Sequence, residues 1–181
     1  IKSSDVRETV LAYRQVDGIC DYPLHLGITE SGTRYSGTIK SAIGIGALLL
    51  DGIGNTIRVS LTDNPVNEIK PAIEILKATG NRPDSIEFIS CPTCARTSVN
   101  LIEIARTIEA EIEKLKLKKK LKVAVMGCEV NGPGEAKDAD IGIAFSKSHG
   151  FIFEKGKLTL KTGAESTVEQ FLERLQQMAK K

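Results

Sequence analysis

TIKSAIGIGALLLDG (38–52), NTIRVSL (55–61) and NEIKPAIEILKATG (67–80) follow one another almost without interruption, and they set the fold class. The first is a mostly apolar run, long enough for a buried helix and ended by Gly52 and Gly54. The second is short and rich in β-branched residues, as a strand should be. The third has helical spacing and closes at Gly80, where a residue without a Cβ turns the chain out of a helix. Helix, buried strand and helix in quick succession imply a parallel sheet flanked by helices.

Upstream, YPLHLGITE (22–30) adds a further strand. IKSSDVRETVLAYRQV (1–16) reads as the end of a strand followed by a helix. Ser3 or Ser4 is its expected N-cap and Asp5 lies in its first turn, with Val6, Val10 and Tyr13 at helical spacing. Downstream, NRPDS (81–85) is the best boundary, giving an α/β part over 1–81 and a second domain over 82–181. There IEFIS (86–90) is a strand, followed by two cysteines and a long helix. Leu101, Ile104, Ile108, Ile112 and Leu115 form one apolar stripe along that helix. The lysine-rich stretch from Lys114 to Lys122 suits the negative end of the helix dipole and reads as a solvated helix end. KVAVMG (122–127), DIGIAFSK (140–147) and a hairpin in FIFEKGKLTLK (151–161) about Lys155 and Gly156 supply more strands. A final helix carries Val168, Phe171, Leu172 and Leu175. The second domain therefore reads β-α-β-β-β-α, a small α+β domain.

The chain has 181 residues, 41% of them hydrophobic and 27% charged, which allows packed cores and argues against disorder. Tryptophan is absent and aromatics make up 4%, so there is little from which to build a stacking surface for single-stranded nucleic acid. A net charge of +2 supports no nucleic-acid or membrane partner. No apolar stretch reaches the roughly 18 residues of a membrane span. No signal or transit peptide is visible, and the chain opens at Ile1 without a methionine. The four cysteines, at 20, 91, 94 and 128, are too few for a chain of this size to be a disulfide scaffold. Reduced thiols in a cytosol-like compartment are the expected state.

Cys91 and Cys94 bracket Pro92 and Thr93, and Cys128 follows a strand and precedes EVNGPGEAKDAD. A structural zinc site would want a second cysteine pair or histidines at ligand spacing, and His25 and His149 are isolated. A thioredoxin-like redox pair is conceivable, but it leaves Cys128 and its loop unexplained. An iron–sulfur centre uses all three thiols. It leaves one iron without a sulfur ligand, and Glu135, beyond the bend of Gly132, Pro133 and Gly134, offers an oxygen that exchanges more easily.

CPTC and GCEVNGPGEA, together with LHLGITESG and KSAIGIGALLLDGIGNTIRVSL, closely resemble the 4-hydroxy-3-methylbut-2-enyl diphosphate synthase family. The likeness covers nearly the whole chain and is weakest over the last thirty or so residues. It implies the last βα units of a (β/α)8 barrel followed by a small iron–sulfur domain like those of sulfite and nitrite reductases. It also implies a 4Fe-4S cluster held by Cys91, Cys94, Cys128 and Glu135. The implied reaction is reductive ring opening of 2-C-methyl-D-erythritol 2,4-cyclodiphosphate to 4-hydroxy-3-methylbut-2-enyl diphosphate. Two electrons arrive singly from ferredoxin or flavodoxin, and a hydroxyl leaves as water.

Active sites of such barrels lie at the carboxyl ends of the strands. The resemblance implies that Lys2, ending a first truncated strand, and Arg58 and Ser60, on one face near the end of IRVS, belong to the substrate pocket and hold the diphosphate, which a cation and hydrogen-bond donors suit. By the same resemblance Glu30, ending LHLGITE, is the expected proton donor or hydrogen-bond partner at the carbon centre, and Asn131 the expected substrate contact from the cluster loop. The resemblance further implies a homodimer and a bacterial cytoplasm, with a plastid stroma as the other compartment open to it. Ser31 and Asn55 depart from the Ala and Asp common in the family.

Only about three of eight barrel units can be counted, so the chain reads as a carboxyl-terminal part of a longer enzyme, catalytically weak or dead alone. A zinc-stabilised, non-catalytic binding module is the alternative reading. Cys20 is expected in the core, His25 in the core or on a pocket floor, and His149 in a turn. The glycines of GIGALLLDGIG lie within and after a helix, which disfavours a dinucleotide site and favours close helix–sheet packing.

Overall fold

The computed structural model describes residues 1–115, 120–129, 134 and 136–180. The chain divides into two compact units, Ile1–Pro83 and Asp84–Lys181, and both mix helices with strands.

In the first unit the order is α1 (Val6–Asp17), β1 (His25–Gly27), α2 (Arg34–Leu50), β2 (Thr56–Arg58), a 3-10 turn (Pro65–Glu68) and α3 (Ile69–Ala78). Asp5 is the N-cap of α1, not Ser3 or Ser4: its extended backbone lets Oδ1 accept the Glu8 N–H at 2.7 Å. Ser3 instead accepts the Asp5 N–H at 3.1 Å, which holds the cap in place. Residues 1–5 form no strand.

β1 and β2 pair in parallel with His25 opposite Thr56 and Gly27 opposite Arg58. Both strands are shorter than their apolar runs suggest, because Asn55 takes over at one end. Its amide oxygen accepts the Leu24 N–H at 2.8 Å and its own N–H donates to the Leu24 carbonyl at 2.9 Å. An aspartate would supply the same acceptor. Val10, Tyr13, Leu26, Ile45, Leu48, Ile53, Val59 and Ile75 form the core. Gly44 lets α2 lie directly on the sheet connection, since a Cβ there would stand 2.6 Å from Ile28 Cδ1. The expected role of these glycines in close packing is thus visible. His25 is exposed rather than in the core, with Nδ1 2.8 Å from Thr56 Oγ1. It stands at the first position of the strand, ahead of the buried Leu26 and Gly27. Cys20 is only partly buried.

In the second unit β3 (Ile86–Ser90), α4 (Leu101–Glu113), β4 (Leu121–Met126), β5 (Ile141–Phe145), β6 (His149–Glu154), β7 (Lys157–Gly163) and α5 (Ala164–Lys180) follow in order. The described residues hold five strands, one more than β-α-β-β-β-α allows, because the hairpin about Lys155 and Gly156 contributes two to a single sheet of order β3-β4-β5-β6-β7. β3, β4 and β5 are parallel, whereas β5, β6 and β7 are antiparallel. Lys155 and Gly156 both take left-handed conformations, φ 49° and 73°, as a two-residue hairpin turn of this hand requires. His149 opens β6 instead of sitting in the turn.

Alternation sorts the sheet into two buried faces. Val123, Val125, Ile141, Ile143 and Phe145 meet Leu101, Ile108 and Ile112 of α4 and Phe171 and Leu175 of α5. On the opposite face Ala124, Met126 and Ala144 meet Phe153 and the loop residues Ala136 and Ala139. The link from β4 to β5 joins parallel strands, so it must cross back over the sheet. Its described part lies on this small-residue face. The lysine-rich stretch falls partly outside the described residues. Among those described, no helix is long and apolar enough to cross a membrane.

Candidate functional site

Parallel pairing brings the cysteines of the second unit together. Ser90 at the end of β3 stands opposite Val125 near the end of β4, so the chain leaves both strands at the same edge of the sheet. Cys91 follows the first strand and Cys128 the second, and their carboxyl ends are where parallel sheets place ligands. Cys91, Cys94 and Cys128 line one cavity of about 140 Å³, with Pro92, Arg96, Thr97 and Met126 completing the wall. Cys128 is buried, Cys91 partly so, and Cys94 is exposed.

Hydrogen bonds fix two of these sulfurs. The Cys91 N–H donates to the Val125 carbonyl at 3.2 Å, and the Gly127 N–H donates back to Cys91 Sγ at 3.2 Å. The Thr97 hydroxyl lies 3.8 Å from Cys94 Sγ and accepts the Cys94 N–H at 3.0 Å. Donation from the Arg96 backbone, and then from the Thr97 hydroxyl, holds the Cys94 thiol below its ordinary pKa. Among the described residues no three His, Cys, Asp or Glu side chains crowd one point closely enough to hold a single ion. A cluster asks for something else, because its thiolates bind different irons and need only share a hollow. Three sulfurs around one cavity, two of them already accepting donors, are a soft donor set that suits iron–sulfur chemistry. Glu135 and Asn131 lie outside the described residues. Thr97 and Gly127 escaped the sequence reading. The threonine three residues beyond Cys94 was the available signal.

In the first unit the segment before α1 and the loops after β1 and β2 are stitched together. The Thr29 N–H donates to the Ser3 carbonyl at 3.2 Å, beside Lys2. The buried Ser31 hydroxyl donates to the Ser60 carbonyl, and the Thr62 N–H to the Gly32 carbonyl at 2.9 Å. Ser31 therefore ties the two loops, which an alanine could not do.

Neither Lys2 nor Glu30 ends a strand, since β1 stops at Gly27. Glu30 is exposed on the following loop in a left-handed conformation, φ 51°, which costs a residue with a Cβ on the order of 1 kcal/mol. Arg58 is the last residue of β2 and Ser60 lies beyond it, so the two do not share a strand face. Arg58 Nε is buried without a hydrogen-bond partner among the described residues. A buried donor of this kind suits an anionic oxygen.

The family model for the GcpE TIM-barrel domain matches residues 1–73, and that for the GcpE protein C-terminal domain matches residues 87–177. The chain belongs to the GcpE family. It is 55% identical over 178 residues to a 4-hydroxy-3-methylbut-2-en-1-yl diphosphate synthase (flavodoxin) of Ruminiclostridium cellulolyticum, covering 98% of this chain and 50% of the relative. The protein of the same name from Clostridium perfringens is 56% identical over 172 residues, 95% of this chain and 49% of that one. That of Fusobacterium nucleatum is 54% identical over 170 residues, 94% and 48%. The chain spans about half the length of the curated relatives it matches. Within the GcpE family, the cysteine cavity falls inside the C-terminal domain match and Lys2, Glu30, Arg58 and Ser60 inside the barrel match.

Proposed function

We propose that this chain is the cluster-bearing part of an enzyme that reductively opens 2-C-methyl-D-erythritol 2,4-cyclodiphosphate to 4-hydroxy-3-methylbut-2-enyl diphosphate. The shared cavity of Cys91, Cys94 and Cys128 carries this reading, and the names of the relatives support it. When bound, a 4Fe-4S cluster supplies electrons one at a time and an iron open to an exchangeable ligand. Cys91, Cys94 and Cys128 hold it as thiolates, and Glu135 supplies the fourth, oxygen ligand.

The remaining chemistry falls to the loops of the barrel part. Lys2, the Arg58 guanidinium and the Ser60 hydroxyl bind the diphosphate, and the unpartnered Arg58 Nε supports that assignment. Glu30 delivers a proton or a hydrogen bond where a substrate hydroxyl departs as water. Asn131 orients the substrate from the cluster loop. The same reading includes the remaining units of an eight-stranded barrel, a sulfite-reductase-like second domain and assembly as a homodimer in the bacterial cytoplasm. Flavodoxin, which the names of the relatives carry, is the favoured electron donor, with ferredoxin the other.

Anaerobic reconstitution followed by metal analysis tests the proposal. About four iron and four sulfide per chain, with a brown absorbance, are expected. One zinc per chain and no colour would replace the proposal with a zinc-stabilised binding module. In the complete enzyme Glu135→Ala should abolish ring opening, and undiminished activity would remove Glu135 from the ligand set.

A further inference from the structure

Thr97 is placed to do more than close the turn after CPTC. Its Oγ1 accepts the Cys94 N–H at 3.0 Å, and its own N–H donates to the Cys94 carbonyl at 3.0 Å. With the oxygen engaged as an acceptor on that side, the hydroxyl proton is free to point at Cys94 Sγ, 3.8 Å away. The side chain is also wedged against the neighbouring strand end. A Cβ on Gly127 would stand 3.0 Å from Thr97 Cγ2, and Gly127 is the residue whose N–H reaches Cys91 Sγ. The Ser98 N–H donates to the Gly127 carbonyl at 3.2 Å, locking the two segments together. One threonine thus donates to one sulfur and braces the amide that donates to another.

Hydrogen bonds to cluster sulfurs stabilise the more negative, reduced form, so they raise the reduction potential. We propose that Thr97 is a positioning residue that sets the electron affinity of the centre through its hydroxyl bond to the Cys94 sulfur. This rests on the iron–sulfur reading of the three cysteines. The predicted role is to bring the centre within reach of its electron donor while leaving the ligand set unchanged.

The test uses the anaerobically reconstituted protein, its iron and sulfide assayed alongside a spectroscopic redox titration. Thr97→Val keeps the shape and removes the proton. It should retain iron and sulfide yet shift the one-electron equilibrium about tenfold toward the oxidised form, a fall of about 59 mV. Thr97→Ser should restore the wild-type potential. An unchanged potential in Thr97→Val, or an equal fall in Thr97→Ser, overturns the proposal.

A second readout needs no variant. Transfer of the wild type into D2O should shift Fe–S stretching bands in resonance Raman spectra, because the exchangeable Thr97 hydroxyl proton is hydrogen-bonded to a ligand sulfur. Absence of that shift overturns the proposal even if Thr97→Val fails to assemble a centre. Failure of the wild type itself to take up iron and sulfide overturns the cluster reading, and this inference with it.

Discussion

At the carboxyl ends of β3 and β4 three thiols share a hollow inside one five-stranded sheet. At the ends of β1 and β2 a carboxylate, a guanidinium and a hydroxyl stand on a sheet of only two strands. The first arrangement is shaped by its own unit: both buried faces of β4, the α4 stripe and the crossover loop hold the sulfurs where they are. The second is held by loop-to-loop bonds such as Ser31 to Ser60, and it leaves Arg58 Nε without a partner among the described residues. The thiols are thus gathered by the topology of one sheet, whereas the loops after β1 and β2 rest on bonds between loops.

The largest expected effect separates the two regions by metal content. Cys128→Ser should lower iron uptake on reconstitution at least about tenfold, since a hydroxyl is a poor iron–sulfur ligand, while Arg58→Ala should leave it unchanged. Equal losses in both variants would break the comparison. A smaller effect concerns packing. Phe171→Ala removes a fully buried ring from the core shared by α4, α5 and the sheet. It should destabilise the second unit by about 3–5 kcal/mol. Denaturant unfolding followed through Cys128 reactivity should show the loss, and amide exchange in α1 and α2 should stay as it was.

The smallest effects belong to the first unit. Asp5→Ala should cost about 1 kcal/mol by removing the α1 cap, read from amide exchange in its first turn. Asp63 has its carboxyl held below the usual range by the Asn64 backbone N–H and then the Asn67 side chain. Its folded pKa is therefore depressed. The stabilisation is present above the unfolded value, near about 3.9, and fades as pH falls through the folded one. Asp63→Asn should flatten that acid limb.

How much of this was legible varies with the range of the interaction that decides it. The stripe of Leu101, Ile108 and Ile112 is a local pattern, and the structure buries all three. The turn at Lys155 and Gly156 is equally local. The N-cap of α1 was misread by one or two residues because Ser3, Ser4 and Asp5 are all good caps, and only the backbone angles choose among them. His25 was misread because three residues of strand carry too little alternation to assign a face. At the site, the spacing of Cys91 and Cys94 is visible in the chain. Their meeting with Cys128 depends on β3 and β4 being parallel and in register. Of the donors to sulfur, Gly127 depends on that register too, whereas Thr97 is local to Cys94 and its spacing of three was the signal the chain offered.

The crossover from β4 to β5 has a consequence for how this protein can vary. It is fastened at one end by Gly127 to Cys91 and at the other by Asp140. The Asp140 carboxylate accepts the Lys122 N–H at 2.8 Å, and its own N–H returns to the Lys122 carbonyl at 2.9 Å. Of its described residues, Ala136 and Ala139 pack on Ala124, Ala144 and Gly142, where a Cβ would stand 3.2 Å from Ala136 Cβ. A tether moored at both ends tolerates changed side chains more readily than a changed length, which would draw Cys128 away from its neighbours.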